Sequence, residues 1–379
     1  MQKAKKVHKR KVKKHRYIRL FFKAMIISLS VCCFLLIAGF TAYQAIAKPP
    51  ALPDDGNDPT VLQIDNTISP SPAANDDSAY LPPDGDKADM LVGGGLKAPE
   101  TFDASDRKPQ FYTFLIFGLD EGINTDTIMV GSYDGVNKTG NIISIPRDSK
   151  VDVKRNVKKI NAAYPAGTLY GGGNQGGVDQ MKREIKTIIG FEPDYYVCIN
   201  LKAFVNLVDS VGGVDVNVPF NMKYDDPAQN LHINIQSGTQ HLDGAAALTF
   251  ARYRKSNNGK NVISDYQRID NQHTVIDAVM SKLLQPENIL KIPDYIKIFN
   301  DNVSSDVKPE NMLWFAGQLS QIKGTSALSM YTMPTTGTSG PPMYYEYLDE
   351  AGIVKLVNDT INPYNKDISA GDLDIAGAD

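Results

Sequence analysis

Arginine is scarce in most of this chain, and four arginines stand at the ends of predicted secondary-structure elements. Beyond residue 23 the sequence has 22 Lys but only seven Arg. A guanidinium grips phosphate or carboxylate oxygens through two parallel hydrogen bonds. One such arginine is explained most simply by a surface salt bridge. Four at element ends are explained equally well by an anion site, and they are Arg147, Arg252, Arg254 and Arg268.

The positions of these arginines suggest a shared crevice. Arg147 directly follows a predicted strand, which Pro146 ends because proline donates no ladder hydrogen bond. Residues at the carboxyl ends of strands in open α/β sheets face the ligand crevice. Arg252 and Arg254 flank a tyrosine at the end of one predicted helix, and Arg268 begins the next helix. We therefore expect the four side chains to converge on one anion.

Two aspartates, Asp120 and Asp126, lie on either side of the turn after the first predicted strand. Mg²⁺ typically takes one or two protein carboxylates and fills its remaining positions with waters and phosphate oxygens. Beside an arginine-lined crevice, the pair predicts a Mg²⁺ cofactor. The alternative is that both are ordinary turn and capping aspartates. The five histidines show no metal-ligand spacing, and Cys198 is the only cysteine beyond residue 33.

Short apolar runs interleaved with helical patterns must position these residues, and they predict a layered α/β domain. The predicted strands are 111–120, 127–133, 141–145, 195–200, about 214–218 and 327–333. The predicted helices are one around 178–188 that Gly190 ends, about 202–210, about 242–251, a long amphipathic helix to about 284, and two or three after 286. The residues around Asp225 are expected to be irregular. On the long helix, an apolar stripe at Ile276, Val279, Met280 and Leu283 predicts either core packing or the wall of an apolar tunnel.

Charged and apolar residues are distributed very unevenly along the chain. Residues 1–23 carry eleven of the 40 Lys and Arg and no acidic residue, whereas the remainder holds 29 basic and 43 acidic residues. A body this acidic is not expected to bind nucleic acid. Residues 24–47 contain no charge and are long enough for a transmembrane helix, with a cleaved signal peptide as the alternative. By the positive-inside rule, the basic tail stays cytoplasmic and the rest lies outside, as in a single-pass type II cell-membrane protein.

The remaining boundaries follow from composition. Residues 48–108 are rich in Pro, Asp, Ser and Gly and predict a disordered extracellular linker. The globular domain is expected at 109–364, with its core at 110–285, and residues 365–379 are expected to be a disordered tail. With one cysteine outside the membrane, that domain must be held together by packing alone.

Eight segments in this order resemble the LytR–CpsA–Psr family of cell-wall glycopolymer ligases. They are FGLD (117–120), NTDTIMV (124–130), SIPRD (144–148), KINAAY (159–164), DYYVCIN (194–200), LVDSVGGVDV (207–216), HLDGAAALTFARYR (241–254) and DYQRIDNQ (265–272). The resemblance implies a central mixed β-sheet flanked by helices, preceded by one transmembrane helix and a stalk. This chain differs from the family pattern at Glu121 and Asn271, two positions where family members often carry an arginine. The difference leaves open which polymer is transferred and to which acceptor.

The resemblance also implies a reaction and its residues. Family members transfer an undecaprenyl-pyrophosphate-linked polymer, such as teichoic acid or capsular polysaccharide, to a peptidoglycan hydroxyl. Asp120 and Asp126 would hold Mg²⁺ at the pyrophosphate, and the four arginines would grip its oxygens. Lys159 and Gln272 would also contact the substrate, and Asp265 would either orient an arginine or act as the base. Two alternatives remain: hydrolysis of the lipid pyrophosphate, and a non-catalytic regulator that binds polyprenyl phosphate.

Overall fold

The computed structural model describes residues 41, 43, 45–50, 104–120, 123–227, 231–289, 291–319 and 327–377. Two compact units are distinguished, residues 1–50 and residues 51–379. In the first unit Thr41, Tyr43, Ala45 and Ile46 are helical. The rest of the predicted membrane span and most of the predicted linker lie outside the described residues. Within the described part of the chain, no helix is both long enough and apolar enough to cross a bilayer.

Strands and helices alternate along the second unit, as the sequence predicts. The strands are β1 (Phe111–Leu119), β2 (Thr125–Asp134), β3 (Thr139–Ser144), β4 (Tyr195–Asn200), β5 (Val214–Val218), β6 (Met222–Asp226), β7 (Leu231–Ile235), β8 (Gly238–Leu242), β9 (Val303–Ser305), β10 (Leu328–Thr332), β11 (Thr335–Thr338) and β12 (Glu346–Leu348). The helices are α1 (Ala163–Tyr170), α2 (Gly173–Ile189), α3 (Leu201–Ser210), α4 (Gly244–Arg252), α5 (Asp265–Leu283), α6 (Pro286–Ile289), α7 (Ile292–Asn302), α8 (Pro309–Leu319) and α9 (Glu350–Thr360).

The central sheet is mixed, in the order β10-β3-β2-β1-β4-β9. Strands β1, β2 and β3 pair antiparallel, whereas β4 runs parallel to β1 and β10 runs parallel to β3. A parallel partner requires a long crossover, which α1 and α2 supply between β3 and β4. The prediction of an α/β fold around a central mixed sheet is confirmed.

One face of the sheet carries the larger hydrophobic core. Leu115 and Phe117 of β1 and Val130 of β2 are completely buried there, against Met181 and Ile185 of α2. The apolar residues of α2 recur every three to four positions, which is the spacing that predicts an amphipathic helix. That helix ends where predicted, because Gly190 takes a left-handed conformation (φ 84°) that other residues adopt only with strain.

A buried ion pair lies within this core. Arg155 has no exposed surface and binds both carboxylate oxygens of Glu184 on α2. Its remaining guanidinium donors reach the carbonyl oxygens of Val157 and Lys159, each at 2.7 Å. Arg155 is thus held inside the fold by four hydrogen bonds and has no exposed surface, so this arginine is not available to a ligand.

A second layer faces the other side of the sheet. It contains the two-stranded sheets β5–β8 and β6–β7 together with α4 and α5, and its core includes Val216, Ile233, Phe250 and Val275. The irregular conformation predicted around Asp225 is wrong, because this residue lies in the β6–β7 hairpin. The polar side chains of β6 point outward, and a hairpin with one solvated face accommodates them.

The globular domain extends further at both ends than the predicted residues 109–364. At the N-terminal end, Arg107 binds Asp194 at 2.8 Å, and both side chains are buried. At the C-terminal end, Ile368 and Leu373 pack into the larger core, and Ser369 and Asp372 form a reciprocal capping box. The described residues 104–108 and 365–377 are therefore ordered. A few residues in otherwise polar segments anchor them, by an ion pair at Arg107 and by apolar packing at Ile368 and Leu373. Composition averaged over such segments predicts disorder.

Candidate active site

A β-bulge delivers the first carboxylate of the site. Gly118 of β1 pairs with Thr127 and Leu119 pairs with Thr125, so Asp126 is the extra residue of β2. A bulge bends its strand and redirects a side chain. Thr125 accordingly turns inward and donates its hydroxyl to the carbonyl oxygen of Asn161, while Asp126 lines a cavity on the other face.

Arg147 reaches Asp126 from the loop after β3. Its Nη1 donates a short hydrogen bond to Asp126 Oδ1, and about a quarter of its side chain is exposed. Burial lowers the pKa of Arg147, but the carboxylates of Asp126, Asp148 and Asp265 outweigh it and raise the pKa overall. The guanidinium is thus held charged at the sheet edge, in agreement with its predicted position after a strand.

Asp265 joins two further arginines to the same cluster. Its Oδ1 accepts a hydrogen bond at 2.9 Å from Nη2 of Arg254 and forms an ion pair, also at 2.9 Å, with Nη2 of Arg268. Arg268 Nη2 also donates to the carbonyl oxygen of Asp126 at 3.2 Å. Helix α5 fixes Asp265 in its first turn, because Ser264 and Gln267 form a capping box. Of the two roles expected for Asp265, the geometry matches that of orienting arginines.

The Arg-Tyr-Arg sequence at the end of α4 explains the placement of Arg252 and Arg254. Tyr253 between them is extended (φ −59°, ψ 137°) and completely buried, and its hydroxyl donates to the carbonyl oxygen of Asn261. Side chains alternate along extended backbone, so burying the central ring turns both neighbours to the opposite side. Arg252 and Arg254 both line the cavity. We call Arg147, Arg252, Arg254 and Arg268 the arginine clamp.

The other predicted residues differ in how close they come to the clamp. Gln272, one turn after Arg268 on α5, lines the same cavity. Lys159 does not line it, and instead binds Asp148 at 2.8 Å, beside Arg147. Asp120 also does not line the cavity: its two oxygens accept hydrogen bonds from the backbone and side-chain amides of Asn124. Asp120 therefore stabilises its own turn, as the alternative interpretation of the pair predicts.

The two aspartates are compatible with a magnesium ion that has few protein ligands. Asp126 keeps about 30% of its side chain exposed, and the described residues offer its Oδ2 no hydrogen-bond donor. Among the residues that the structure describes, no cluster of three or more His, Cys, Asp or Glu side chains is arranged to hold a metal. An ion here would thus depend on waters and phosphate oxygens for most of its ligands, which Mg²⁺ accepts.

An apolar cavity of about 580 Å³ opens beside the clamp. From the sheet it is lined by Ile116, Met129 and Ile142, which lie on the face away from the larger core. Helix α5 contributes Val275, Ile276, Val279, Met280 and Leu283, and α3 contributes Phe204 and Leu207. All four residues of the predicted apolar stripe line the cavity, and Val279 also belongs to the smaller core.

Helix α5 gives the cavity a polar and an apolar end. Arg268 and Gln272 lie near its start, and the apolar lining residues follow as far as Leu283. Fifteen residues of helix span about 22 Å at 1.5 Å per residue. The helix therefore leads from a cluster of guanidinium groups along a long apolar wall, which is the shape expected for an amphiphile with an anionic head.

Several polar atoms at the clamp are buried without a partner. Among the described residues these include Nε of Arg147, Nε of Arg268 and Oδ2 of Asp265. Burial lowers the pKa of Arg268, and the positive charges of Arg147 and Arg254 add to this effect against the carboxylates of Asp265 and Asp126. Unpaired buried donors are costly in a finished structure. The clamp therefore has donors and positive charge to offer an anion.

Sequence reasoning missed the sheet side of the cavity and one contact that supports it. His273 on α5 forms a 2.8 Å hydrogen bond through Nε2 to the hydroxyl of Ser144, the last residue of β3. This bond fixes α5 to the strand that leads to Arg147. A signal for the cavity wall was present in β1, where apolar residues follow one another without alternation, as in strands covered on both faces.

A sequence profile of the LytR_cpsA_psr family matches residues 88–361. The polyisoprenyl-teichoic acid–peptidoglycan teichoic acid transferase TagV of Bacillus subtilis is 28% identical over 304 residues, which cover 76% of this chain and 73% of TagV. The corresponding transferase TagU of the same species is 29% identical over 66% of this chain and 77% of its own. The regulatory protein MsrR of Staphylococcus aureus is 25% identical over 59% of this chain and 64% of its own.

Solved structures agree with the fold. The crystal structure of B. subtilis TagV superposes with a TM-score of 0.54 at 26% identity, covering 66% of this chain and 95% of TagV. The Streptococcus agalactiae protein gbs0355 has the same fold, with a TM-score of 0.56 at 19% identity over 70% of this chain and 92% of its own. The family profile covers most of the chain, including every residue of the clamp and the cavity, and this chain belongs to the LytR_cpsA_psr family.

Proposed function

We propose that this chain is an extracytoplasmic phosphotransferase that attaches a polyprenyl-pyrophosphate-linked glycopolymer to peptidoglycan. The observation that carries this function is the arginine clamp at the polar end of an apolar cavity of about 580 Å³. A lipid pyrophosphate combines the two features that this site combines, a long apolar chain and a densely charged head. The names of TagV and TagU, both teichoic acid transferases acting on a polyisoprenyl-linked substrate, support the same reaction class.

In the proposed reaction, a hydroxyl oxygen of the acceptor attacks the phosphorus that carries the polymer. The bond from this phosphorus to the bridging oxygen breaks, and undecaprenyl phosphate leaves with the electron pair. The hydroxyl proton passes to a base, and the polymer becomes joined to the acceptor through one phosphodiester. Phosphoryl transfer depends mainly on positioning and charge neutralisation. The clamp supplies both, because Asp126 and Asp265 orient three of its guanidinium groups.

We also propose Mg²⁺ as the cofactor, held chiefly by Asp126 with Asp120 as the nearby second carboxylate. When bound, the ion would neutralise negative charge on the pyrophosphate. Titration of the purified protein with Mg²⁺ in a calorimeter tests this without turnover. Heat that saturates for the native protein and disappears for Asp126→Asn supports the site, and equal binding by both proteins contradicts it.

The test of function is incubation of the purified full-length chain with a lipid-linked donor and peptidoglycan. Transfer yields wall-bound polymer and undecaprenyl phosphate in equal amounts. Hydrolysis, the first alternative, yields free phosphorylated polymer and no conjugate. Arg147→Ala is expected to abolish the conjugate, whereas Arg183→Ala, at an exposed position on α2, is the matched control that retains it.

A regulatory role is the second alternative, because MsrR, which matches over 229 residues, is named a regulatory protein. Complementation of a deletion strain separates the two. Full complementation by both Arg147→Ala and Asp126→Ala would favour the regulator, since neither binding of a lipid nor regulation requires turnover.

We propose, finally, that residues 24–47 anchor the chain in the cell membrane with the active site outside. Protease treatment of intact cells without their wall tests this topology. A tag after residue 379 should be digested and one before residue 1 protected, and loss of the N-terminal tag from the mature protein would instead indicate a cleaved signal peptide.

A further inference from the structure

The hairpin formed by β11 and β12 lies against two segments that carry the site. Glu346, the first residue of β12, donates its backbone N–H to the carbonyl oxygen of Asp148 and accepts from the N–H of Lys150, each at 2.9 Å. On β11, the hydroxyl of Thr335 is hydrogen-bonded to that of Tyr266, in the first turn of α5. Glu346 is therefore fixed between the loop that follows Arg147 and the start of the helix that carries the clamp.

Glu346 differs from the other carboxylates of the site in its partners. Asp126 binds Arg147, Asp148 binds Lys159, and Asp265 binds two arginines. For Glu346, no cationic side chain lies within salt-bridge distance in the part of the chain that the structure describes. Its carboxylate instead accepts a hydrogen bond from the side chain of Thr335. A carboxylate that no cation neutralises keeps its basicity.

The charges that face Glu346 strengthen this property. Partial burial raises its pKa, and the negative charges of Asp265 on α5 and Asp148 after β3 raise it further, against the hydrogen bond from Thr335. Other titratable groups packed against the hairpin include Tyr266, whose own pKa is raised by burial. They also include Lys150 and Lys159, whose Nζ atoms lie 5.3 Å and 6.0 Å from the ring centres of Tyr347 and Tyr345. General bases work best when their pKa lies close to the operating pH. Glu346 is shifted in that direction from the ordinary value of 4.5.

The face beside Glu346 is open to a large acceptor. The loop between β11 and β12 is solvent-exposed, and 59% of the Tyr344 side chain is accessible. The apolar cavity is lined by the sheet and by α3, α4 and α5, and no residue of the β11–β12 hairpin lines it. A lipid-linked donor and a wall-bound acceptor would thus use different parts of the molecule.

We propose that Glu346 is the general base of the transfer reaction. Its carboxylate takes the proton from the acceptor hydroxyl while the hydroxyl oxygen forms its bond to the phosphorus and the bond to the lipid phosphate breaks. This assignment rests on the function proposed above. It leaves Asp265 as a positioning residue that holds Arg254 and Arg268.

The test compares Glu346→Gln with the native full-length protein in detergent, with a lipid-linked donor and a peptidoglycan acceptor. Positioned bases contribute about 10²- to 10⁴-fold to rate, so kcat is expected to fall by that factor. Donor affinity, measured with polyprenyl phosphate as probe, should stay unchanged because the clamp is intact. For the native protein, kcat should rise with pH through the pKa of Glu346, and this dependence should vanish in the variant.

Two further variants keep the result interpretable. Glu346→Asp retains a carboxylate and should recover part of the rate together with the pH dependence, which a purely structural role would not predict. Glu350→Gln, at an exposed position four residues along the chain, is the matched control and should behave like the native protein. Both variants of Glu346 should fold, because the backbone makes its contacts to Asp148 and Lys150.

Native kcat and an unchanged pH profile for Glu346→Gln would overturn the assignment while leaving the transferase function intact. Absence of any conjugate from the native protein would instead overturn the transferase function, and the base with it. A reduced rate accompanied by weakened binding of polyprenyl phosphate would also contradict a base and would point to a role in holding the donor.

Discussion

Arg268 Nη2 lies 2.9 Å from Asp265 Oδ1, one turn earlier on the same helix, and 5% and 11% of the two side chains are exposed. Asp265 also binds Arg254, which comes from the segment that follows α4. A single carboxylate thus sets the separation and direction of two guanidinium groups. In a site that works by charge and position, such an orienting residue matters as much as the groups that touch the substrate.

Asp265→Asn should disorganise the clamp without removing any positive charge. Misplacing catalytic groups by about 1 Å costs roughly 10²-fold in rate, and we expect a loss of this order in kcat. The measurement is the rate of undecaprenyl phosphate release under saturating donor. Asp270→Asn, at an exposed position on the same helix, should leave the rate unchanged. Native activity for Asp265→Asn would show that the arginines keep their positions unaided.

Arg252→Lys and Arg254→Lys should each slow transfer although charge is retained. A lysine cannot present the planar fork of an arginine, and charge-assisted hydrogen bonds are worth about 1.5–3 kcal/mol, or roughly 10- to 100-fold in kcat/KM. Arg183→Lys on the surface of α2 controls for the substitution itself. Equal kinetics for native protein and both clamp variants would be incompatible with bidentate contacts from these two positions.

Ile276→Trp should narrow the apolar cavity and weaken binding of the lipid chain. Added volume in a filled apolar site typically costs about 1–3 kcal/mol, so the Kd for polyprenyl phosphate should rise by roughly 5- to 100-fold. A donor with a shortened chain should be affected less, because it leaves part of the cavity empty. Ser281→Trp places the same ring at an exposed position of α5 and should not change binding. If long and short chains were affected equally, the lipid would occupy a different surface.

The stability of the domain should decrease on mild acidification because of His273. Burial lowers the pKa of this imidazole, and Asp270 and Asp277 offset the effect only in part. As pH falls through the ordinary value of 6.5, the unfolded chain takes up a proton that the native state resists. The free energy of unfolding therefore drops with falling pH below that value. Denaturant titrations over pH 5–8 measure this, and His273→Gln should remove the His273 share of the slope. Identical slopes for the two proteins would mean that His273 titrates alike in both states.

Much of the fold follows from local sequence. Strand β4 and strand β5 were predicted at their observed bounds, and Gly190 ends α2 as expected. Such elements are encoded by hydrophobic period and by glycine or proline at their ends. The β6–β7 hairpin was not predicted, since its polar first strand is stabilised by contacts with distant residues. Asp225, for example, donates its backbone N–H to the side chain of Asn257.

The sequence likewise predicted part of the candidate site and left the rest undetermined. Residue type and position at element ends selected all four members of the clamp. They could not separate Asp126, which a bulge turns into the cavity, from Asp120, which binds its own turn at Asn124. Arg155 was not among the predicted site residues, and the structure shows that it binds Glu184 in the core. Burial and partner choice are properties of the assembled chain.

The sequence by itself determined which groups carry charge, where many of the strands and helices lie, and which family the chain resembles. These depend on neighbours along the chain and on residue chemistry. Only the tertiary structure decided that six charged side chains from four segments of the chain meet at one end of an apolar cavity, namely Asp126, Arg147, Arg252, Arg254, Asp265 and Arg268. It also decided that Glu346 is held against the loop that follows Arg147. Such meetings depend on how the sheet and helices pack, and the free energy of packing is set by contacts between residues more than a hundred positions apart.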